Sequence, residues 1–272
     1  GGGRGRALAA GLPPDWTTVA LGHADLDVSR RNDVLDKVRE IAPDVIFDAA
    51  GITDIDGCEV NKWQAYLVNR DGAKHLAMAA SSIGALLVLI SSDLVFDGAK
   101  TVPYREEDPP NPLSIFGDTM LGAELAVMSH APRHLIVRTG WLFGPWGRSF
   151  LGDDIDKLQA GDIAAEPDDQ RAQPTYQPDL VQALVTLVKQ GKTGGWHIAA
   201  AGEATPDEAA RTACELLGLD VMNVQPVRRK SGGDTALRPR YSVLDLSKIQ
   251  SAGIPMRPWV DALRDYVKKR KR

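Results

Sequence analysis

The chain has 272 residues, 43% apolar and 25% charged, with a formal net charge of −4. That length suits one large domain or two modest ones sharing a core. The composition is ordinary for a globular protein, and the slight acidity argues against nucleic acid or an anionic membrane as the main partner. Cys58 and Cys214 stand far apart and form no CxxC pair, so neither a disulfide framework nor a metal-spaced cluster is expected, and a reducing cytoplasm is the natural setting. No apolar run reaches the ~18 residues of a membrane span, and no signal peptide opens the chain.

The first residues, Gly1-Gly2-Gly3-Arg4-Gly5, lead into Arg6-Ala7-Leu8-Ala9, a helix start. Gly2-x-x-Gly5 in that place reads as a phosphate-binding turn, because glycines let backbone N–H groups approach a pyrophosphate at a helix N-terminus. The plainer reading is a glycine-rich chain end. The sequence opens inside this motif on Gly1 rather than Met, so the strand and first glycine of a full fingerprint are expected upstream of residue 1.

Residues 17–21 are predicted as a strand, and 32–41 as a helix with Val34, Val38 and Ile41 on one face. A compact apolar strand follows at 44–50, one long helix at 60–83, a fully apolar strand at 85–91, a helix at 113–128 and a strand at 134–139. Continuous apolar strands alternating with helices give an α/β fold, a Rossmann-like doubly wound parallel sheet covered on both faces. The second half is more broken, with short strands near 162–165 and 196–199 among helices at 179–190, 207–217 and 259–269. We expect an NAD(P)-binding domain over 1–147 and a smaller substrate-binding part over 148–272, some segments of which return to the first domain. The run Asp153-Asp154-Ile155-Asp156 reads as a solvated helix start, and Lys268-Lys269-Arg270-Lys271-Arg272 as a solvated helix end that suits the dipole.

The most specific stretch is Ile90-Ser91-Ser92-Asp93-Leu94-Val95-Phe96-Asp97-Gly98, with Tyr104-Arg105-Glu106-Glu107-Asp108 and Asn111-Pro112-Leu113 behind it. These resemble ISTDYVFDG and PYxExDxxxPxxxYGxxKxxGE of the dTDP-4-dehydrorhamnose reductases, a branch of the extended short-chain dehydrogenase/reductases. Asp48-Ala49-Ala50-Gly51 with Thr53, Asp56 and Glu59 resembles NAAAxTxVDxxE, and Asn69 the asparagine of xVNxxG. Arg138-Thr139-Gly140-Trp141-Leu142-Phe143-Gly144 resembles RTSWVYG, Asp169-Gln170 with Pro174-Thr175-Tyr176 and Asp179-Leu180 resembles DQxGxPTxxxDL, and Trp196-His197-Ile198-Ala199 resembles YHLAG. Arg238-Pro239 with Ser242-Val243-Leu244-Asp245 and Ser247-Lys248 resembles RPxxSxLDxSK. The likeness runs in register through essentially the whole chain.

The resemblance implies reduction of the C4 ketone of a dTDP-linked 4-keto-6-deoxyhexose by NADPH or NADH, the last step toward dTDP-rhamnose. It places Gly2 and Gly5 at the pyrophosphate, Asp27 and Val28 beside the adenine, and Ala49, Ala50 and Gly51 along the cofactor. Ser92 would bind the substrate carbonyl, with Tyr104 and Trp141 as further substrate contacts. No nucleic acid or membrane partner is implied, and a homodimer is compatible with the sequence. Gly22 stands where NAD-preferring members tend to carry an acid, so NADP is allowed, with His23, Arg30 and Arg31 near enough in sequence to meet a 2′-phosphate.

The catalytic pair departs from the family. A Tyr donates the proton, and a Lys four residues on binds the nicotinamide ribose and lowers the Tyr pKa; here those positions are Phe116 and Met120. Loss of a positioned acid typically costs ~10²–10⁴ in rate, and loss of the cation adds a positioning penalty. Leu94 removes a further hydroxyl, and Asp93 is the best substitute acid. Two functions stay open: a slow reductase, or a non-catalytic module holding NAD(P) or a sugar nucleotide. The regulatory beta subunit of methionine adenosyltransferase is a precedent by resemblance for the second, although it keeps Tyr and Lys.

Overall fold

The computed structural model describes residues 2–228 and 235–270. Helix α1 (Gly3–Gly11) is followed, after an irregular stretch, by α2 (Arg31–Ile41) and strand β1 (Val45–Asp48). Short helices α3 (Ile55–Val60) and α4 (Lys62–Ala65) lead through a π turn, Tyr66–Asp71, into α5 (Gly72–Ile83). Strand β2 (Leu86–Ser92) ends in a 3-10 turn, Asp93–Val95, before α6 (Ile115–His130) and β3 (His134–Thr139). The chain continues as β4 (Leu142–Phe143), α7 (Phe150–Gln159), β5 (Ala164–Pro167), β6 (Thr175–Tyr176), α8 (Gln177–Lys189) and β7 (Gly194–His197). It ends with α9 (Pro206–Leu217), β8 (Val224–Val227), α10 (Ser247–Ser251) and α11 (Trp259–Arg270).

The main sheet has the order β1-β2-β3-β7, parallel throughout. Side chains alternate across it, as strand geometry requires. Leu87, Leu89 and Ile136 face Val34, Val38, Leu76 and Ala80 of α2 and α5. Val88, Ile90 and Val137 face the other way, onto a core that includes Leu8 of α1 and Leu184 of α8. Every residue of β2 is buried, which is why this strand reads as a continuous apolar run rather than an alternating one. Two small parallel pairs, β4 with β6 and β5 with β8, lie outside the main sheet.

The structure corrects several sequence expectations. Residues 17–21 are not a strand: among the described residues no strand lies beside them, and Val19 and Leu21 are exposed. Strand propensity yields a strand only where a neighbour supplies the hydrogen-bond ladder. The single helix expected over 60–83 is interrupted at Asn61, whose side chain accepts from the Gln64 N–H as a cap, and again by the π turn. Gly3 to Gly5 form the first turn of α1 with Gly2 as its N-cap, so the glycine-rich segment is a helix start rather than a separate loop; Gly1 lies outside the described residues. Within the acidic run, Asp154 is buried, not solvated, and burial raises its pKa against Glu166 and Lys157, which favour the charged form. Lys268 to Arg270 close α11, while residues 271–272 lie outside the described residues.

A late segment is tied to the first half of the chain. Arg238 forms a two-pronged ion pair with Asp56 at 2.8 and 3.0 Å, and the Ala236 N–H donates to the same carboxylate. The Tyr104 N–H donates to the Val243 carbonyl, and the Asp245 N–H to that of Tyr104. These contacts carry Ser242 to the end of β2, where the site lies.

Candidate active site

The carboxyl ends of β1, β2 and β3 converge on one edge of the sheet, the place where open parallel sheets bind ligands. The first turn of α1 comes to the same edge, because Arg4 reaches from it to the Ile90 carbonyl and to within 3.3 Å of where a Cβ on Gly51 would stand. The N–H groups of Gly3, Arg4 and Gly5 have no intrahelical acceptor, as at any helix start. A methyl group on Gly2 or Gly5 would meet nothing within 4 Å, whereas one on Gly3 would lie 2.5 Å from the Trp146 carbonyl. The turn is thus anchored on one side and open on the other. Free N–H donors and the positive helix end there suit a diphosphate.

At the end of β2, Ser92 caps the 3-10 turn. Its hydroxyl accepts from the Leu94 N–H and donates to Asp93 Oδ1, both at 3.1 Å. Ser242 donates to the other Asp93 oxygen at 2.6 Å. Burial pushes the Asp93 carboxyl up to about 6, against the two serine hydroxyls, which favour the charged form. Gly140 makes room for it: a Cβ there would stand 2.5 Å from the carboxyl carbon. Beside them, Thr139 has a buried hydroxyl without a partner among the described residues, and Trp141 takes a left-handed backbone, φ 45°, with its ring edge-on to Phe150. Such a backbone on a bulky residue stores on the order of 1–3 kcal/mol and clusters at ligand sites.

Helix α6 closes the other side. Its Ser114 cap accepts from the Gly117 N–H, and Gly117 packs so tightly on the turn after Ser92 that a Cβ would meet the Leu94 carbonyl at 2.2 Å. Phe116 and Met120, one helical turn apart, are therefore held against the Ser92 turn. Both are buried, in the same core as Ile90 and Leu94. The polar residues between them turn elsewhere. Asp118 accepts from the Tyr66 hydroxyl; Thr119 donates to the Phe116 carbonyl and accepts from Asn69. Asn69 also brackets Ile52, accepting from its N–H at 2.7 Å and donating to its carbonyl at 3.1 Å, which fixes the loop after β1 that holds Ala50 and Gly51.

Not every residue marked in the sequence joins this edge. Tyr104 stacks on Phe96 at 4.2 Å and donates its hydroxyl to Asp97, so it braces its own loop. Asp27 accepts twice from Ser29, which lowers its pKa, and the Val28 carbonyl accepts from His75 Nδ1 on α5. Arg30 lies 3.7 Å from Asp27 and 3.8 Å from Asp33. Three residues that complete the site were not singled out from the sequence: Arg4, Gly140 and Ser242. Ser242 had a signal, its place in the RPxxSxLD stretch; Arg4 had none, since a charged residue beside a glycine turn reads as surface. Among the described residues, no cluster of His, Cys, Asp or Glu is arranged to hold a metal ion, and no helix is long and apolar enough to cross a membrane.

Comparison with known proteins gives a consistent picture. The sequence profile of the RmlD substrate binding domain matches residues 1–272. A dTDP-4-keto-6-deoxy-D-glucose reductase of Streptomyces niveus is 38% identical over 261 residues, 94% of this chain and 89% of the relative. A dTDP-4-dehydrorhamnose reductase of Sinorhizobium fredii is 32% identical, over 96% of this chain and 92% of the relative. The crystal structure of the Bacillus anthracis dTDP-4-dehydrorhamnose reductase in complex with NADP superposes with a TM-score of 0.94 at 30% identity, covering 98% of this chain and 96% of that one.

Proposed function

Because this chain belongs to the RmlD family of dTDP-4-dehydrorhamnose reductases, we propose that it binds NADPH and a dTDP-linked 4-keto-6-deoxysugar at the carboxyl edge of the main sheet and reduces the ketone only slowly. The observation that carries this reading is that Phe116 and Met120, at the positions the family resemblance gives to the proton donor and its cation, are two buried apolar side chains. NADPH, when bound, supplies the hydride. The α1 start offers N–H donors to the diphosphate, and the NADP complex of the Bacillus anthracis relative supports the choice of cofactor.

Ser92 can turn its O–H from Asp93 to a substrate carbonyl while the Leu94 N–H keeps the oxygen in place. That orients and polarises the ketone. Phe116 has no proton to give, and Met120 brings no charge. The proton then comes from Asp93, relayed through Ser92, or from water. The second reading, a binding module with no turnover, is favoured by the same two side chains. To separate them, NADPH consumption is followed at the nicotinamide absorbance band with dTDP-4-dehydrorhamnose and, separately, dTDP-4-keto-6-deoxy-D-glucose. We expect saturable NADPH binding and turnover below ~1 s⁻¹, the lower end of ordinary enzymes. Faster turnover rejects the impairment, and binding of both ligands with no turnover selects the module.

A further inference from the structure

Arg4 is the one charged side chain that α1 sends inward to the strand ends. Its guanidinium carries five donors, and the hydrogen bond it makes to protein is long, Nη1 to the Ile90 carbonyl at 3.5 Å. The other donors have no protein acceptor among the described residues. Burial drives its pKa down, and the nearby Asp48 carboxylate, which instead accepts from the Ala50 N–H at 3.1 Å, partly offsets that. A guanidinium held this way, half-buried and with most of its donors unmatched by protein, has donors left for a further acceptor.

Two departures from the reductase pattern meet at this point, and a third lies beside a residue linked to it. Where the pattern has NAAA, this chain has Asp48-Ala49-Ala50-Gly51, and where it has the Lys, this chain has Met120. Gly51 lies at φ 147°, and a Cβ there would press on Arg4 Nη2 at 3.3 Å and Asn69 Oδ1 at 3.1 Å, so the glycine makes the space that Arg4 enters. Asp48 adds a counter-charge from the same strand end. Asn69 links this space to Thr119, the neighbour of Met120. One cation has left α6 and another has arrived from α1.

We infer that Arg4 is the cation of the cofactor site and pairs with the diphosphate of a dinucleotide seated at the start of α1. The inference rests on the NADPH assignment above. It is tested by titrating NADPH fluorescence on the full chain at low and at high salt, for wild type, Arg4→Met, Arg4→Lys and Gly51→Ala, with circular dichroism as the check on folding. Arg4→Met should weaken NADPH by ~10-fold or more, the ~1.4 kcal/mol of one charge-assisted contact, and flatten the salt dependence. Arg4→Lys should regain most of the affinity, and Gly51→Ala, which crowds the guanidinium without removing its charge, should fall between. NADPH affinity within twofold of wild type in Arg4→Met overturns the inference and leaves the cofactor assignment standing. If Arg4→Met does not fold, Arg4→Gln takes its place, and NADPH affinity within twofold of wild type with an unchanged salt slope in that variant overturns the inference equally. A wild-type chain that fails to bind NADPH at millimolar concentration overturns both.

Discussion

The two walls of the site solve the same packing problem with opposite chemistry. On the β2 wall, Ser92, Asp93 and Ser242 are buried polar groups that satisfy one another, and Gly140 is kept small so that the carboxyl fits. On the α6 wall, Phe116 and Met120 are equally buried and make only apolar contacts. The backbone beneath the second wall is firmly held: Ser114 caps the helix and Gly117 seats it on the Leu94 carbonyl. On the proposed reading, reactivity is removed from one wall by exchanging side-chain ends while the geometry that aimed them is kept. A frame preserved in this way should accept the chemistry back.

The largest test of that contrast is the double change Phe116→Tyr with Met120→Lys. If the α6 wall lacks only its side-chain ends, NADPH consumption with dTDP-4-dehydrorhamnose should rise ~10²–10⁴-fold, the usual worth of a positioned acid; no rise means the wall has changed shape as well. The β2 wall is probed by pH. Burial raises Asp93 from an ordinary 3.8 to about 6, so the folded state holds its proton more tightly than the unfolded chain. Its contribution to stability is full below about pH 4 and is lost as pH climbs through about 6. Urea midpoints of wild type and Asp93→Asn, taken between pH 4 and pH 6, should therefore diverge, wild type losing at most about 3 kcal/mol relative to the variant. Parallel pH profiles would mean that Asp93 is not held in this way. The smallest effect is expected where the α6 wall keeps a polar group for structural use. Thr119→Val removes the acceptor of the Asn69 amide and should cost ~1 kcal/mol, a fall of about 2 °C in Tm for a chain of this size, read by thermal melting.

Much of this arrangement is visible in the sequence, for reasons that also explain what is hidden. The β2 run, Leu86 to Ile90, reads as a doubly covered parallel strand because five consecutive aliphatic residues leave no polar face for solvent. The 134–139 strand and the bounds of α2, α6, α8, α9 and α11 fall within two residues of their predicted places. Residues 17–21 have the composition of a strand, yet composition cannot supply the neighbour that a ladder requires. The residues that the family's motifs mark on the strand ends and on α6 come together at one edge of the sheet, whereas Tyr104 gives its hydroxyl to Asp97 within its own loop. Asp154 was hidden because whether a charge is buried depends on what the rest of the chain lays over it, and periodicity carries no record of that.

The π turn at Tyr66–Asp71 has a consequence for how this site tolerates change. A residue in an α-helix advances the side-chain direction by about 100°, so one extra residue in a turn acts as a dial. It sets Asn69 toward Ile52 and Thr119 while α5 beyond it keeps Ala73, Leu76, Ala77 and Ala80 on the sheet. Losing a single residue here would leave the rod equally helical and nearly as long, and would turn its two ends out of step with each other. One end would have to give up its bearing, either the asparagine or the alanine stripe. The helix that looks longest and plainest in the sequence is therefore the one whose length is least free to drift.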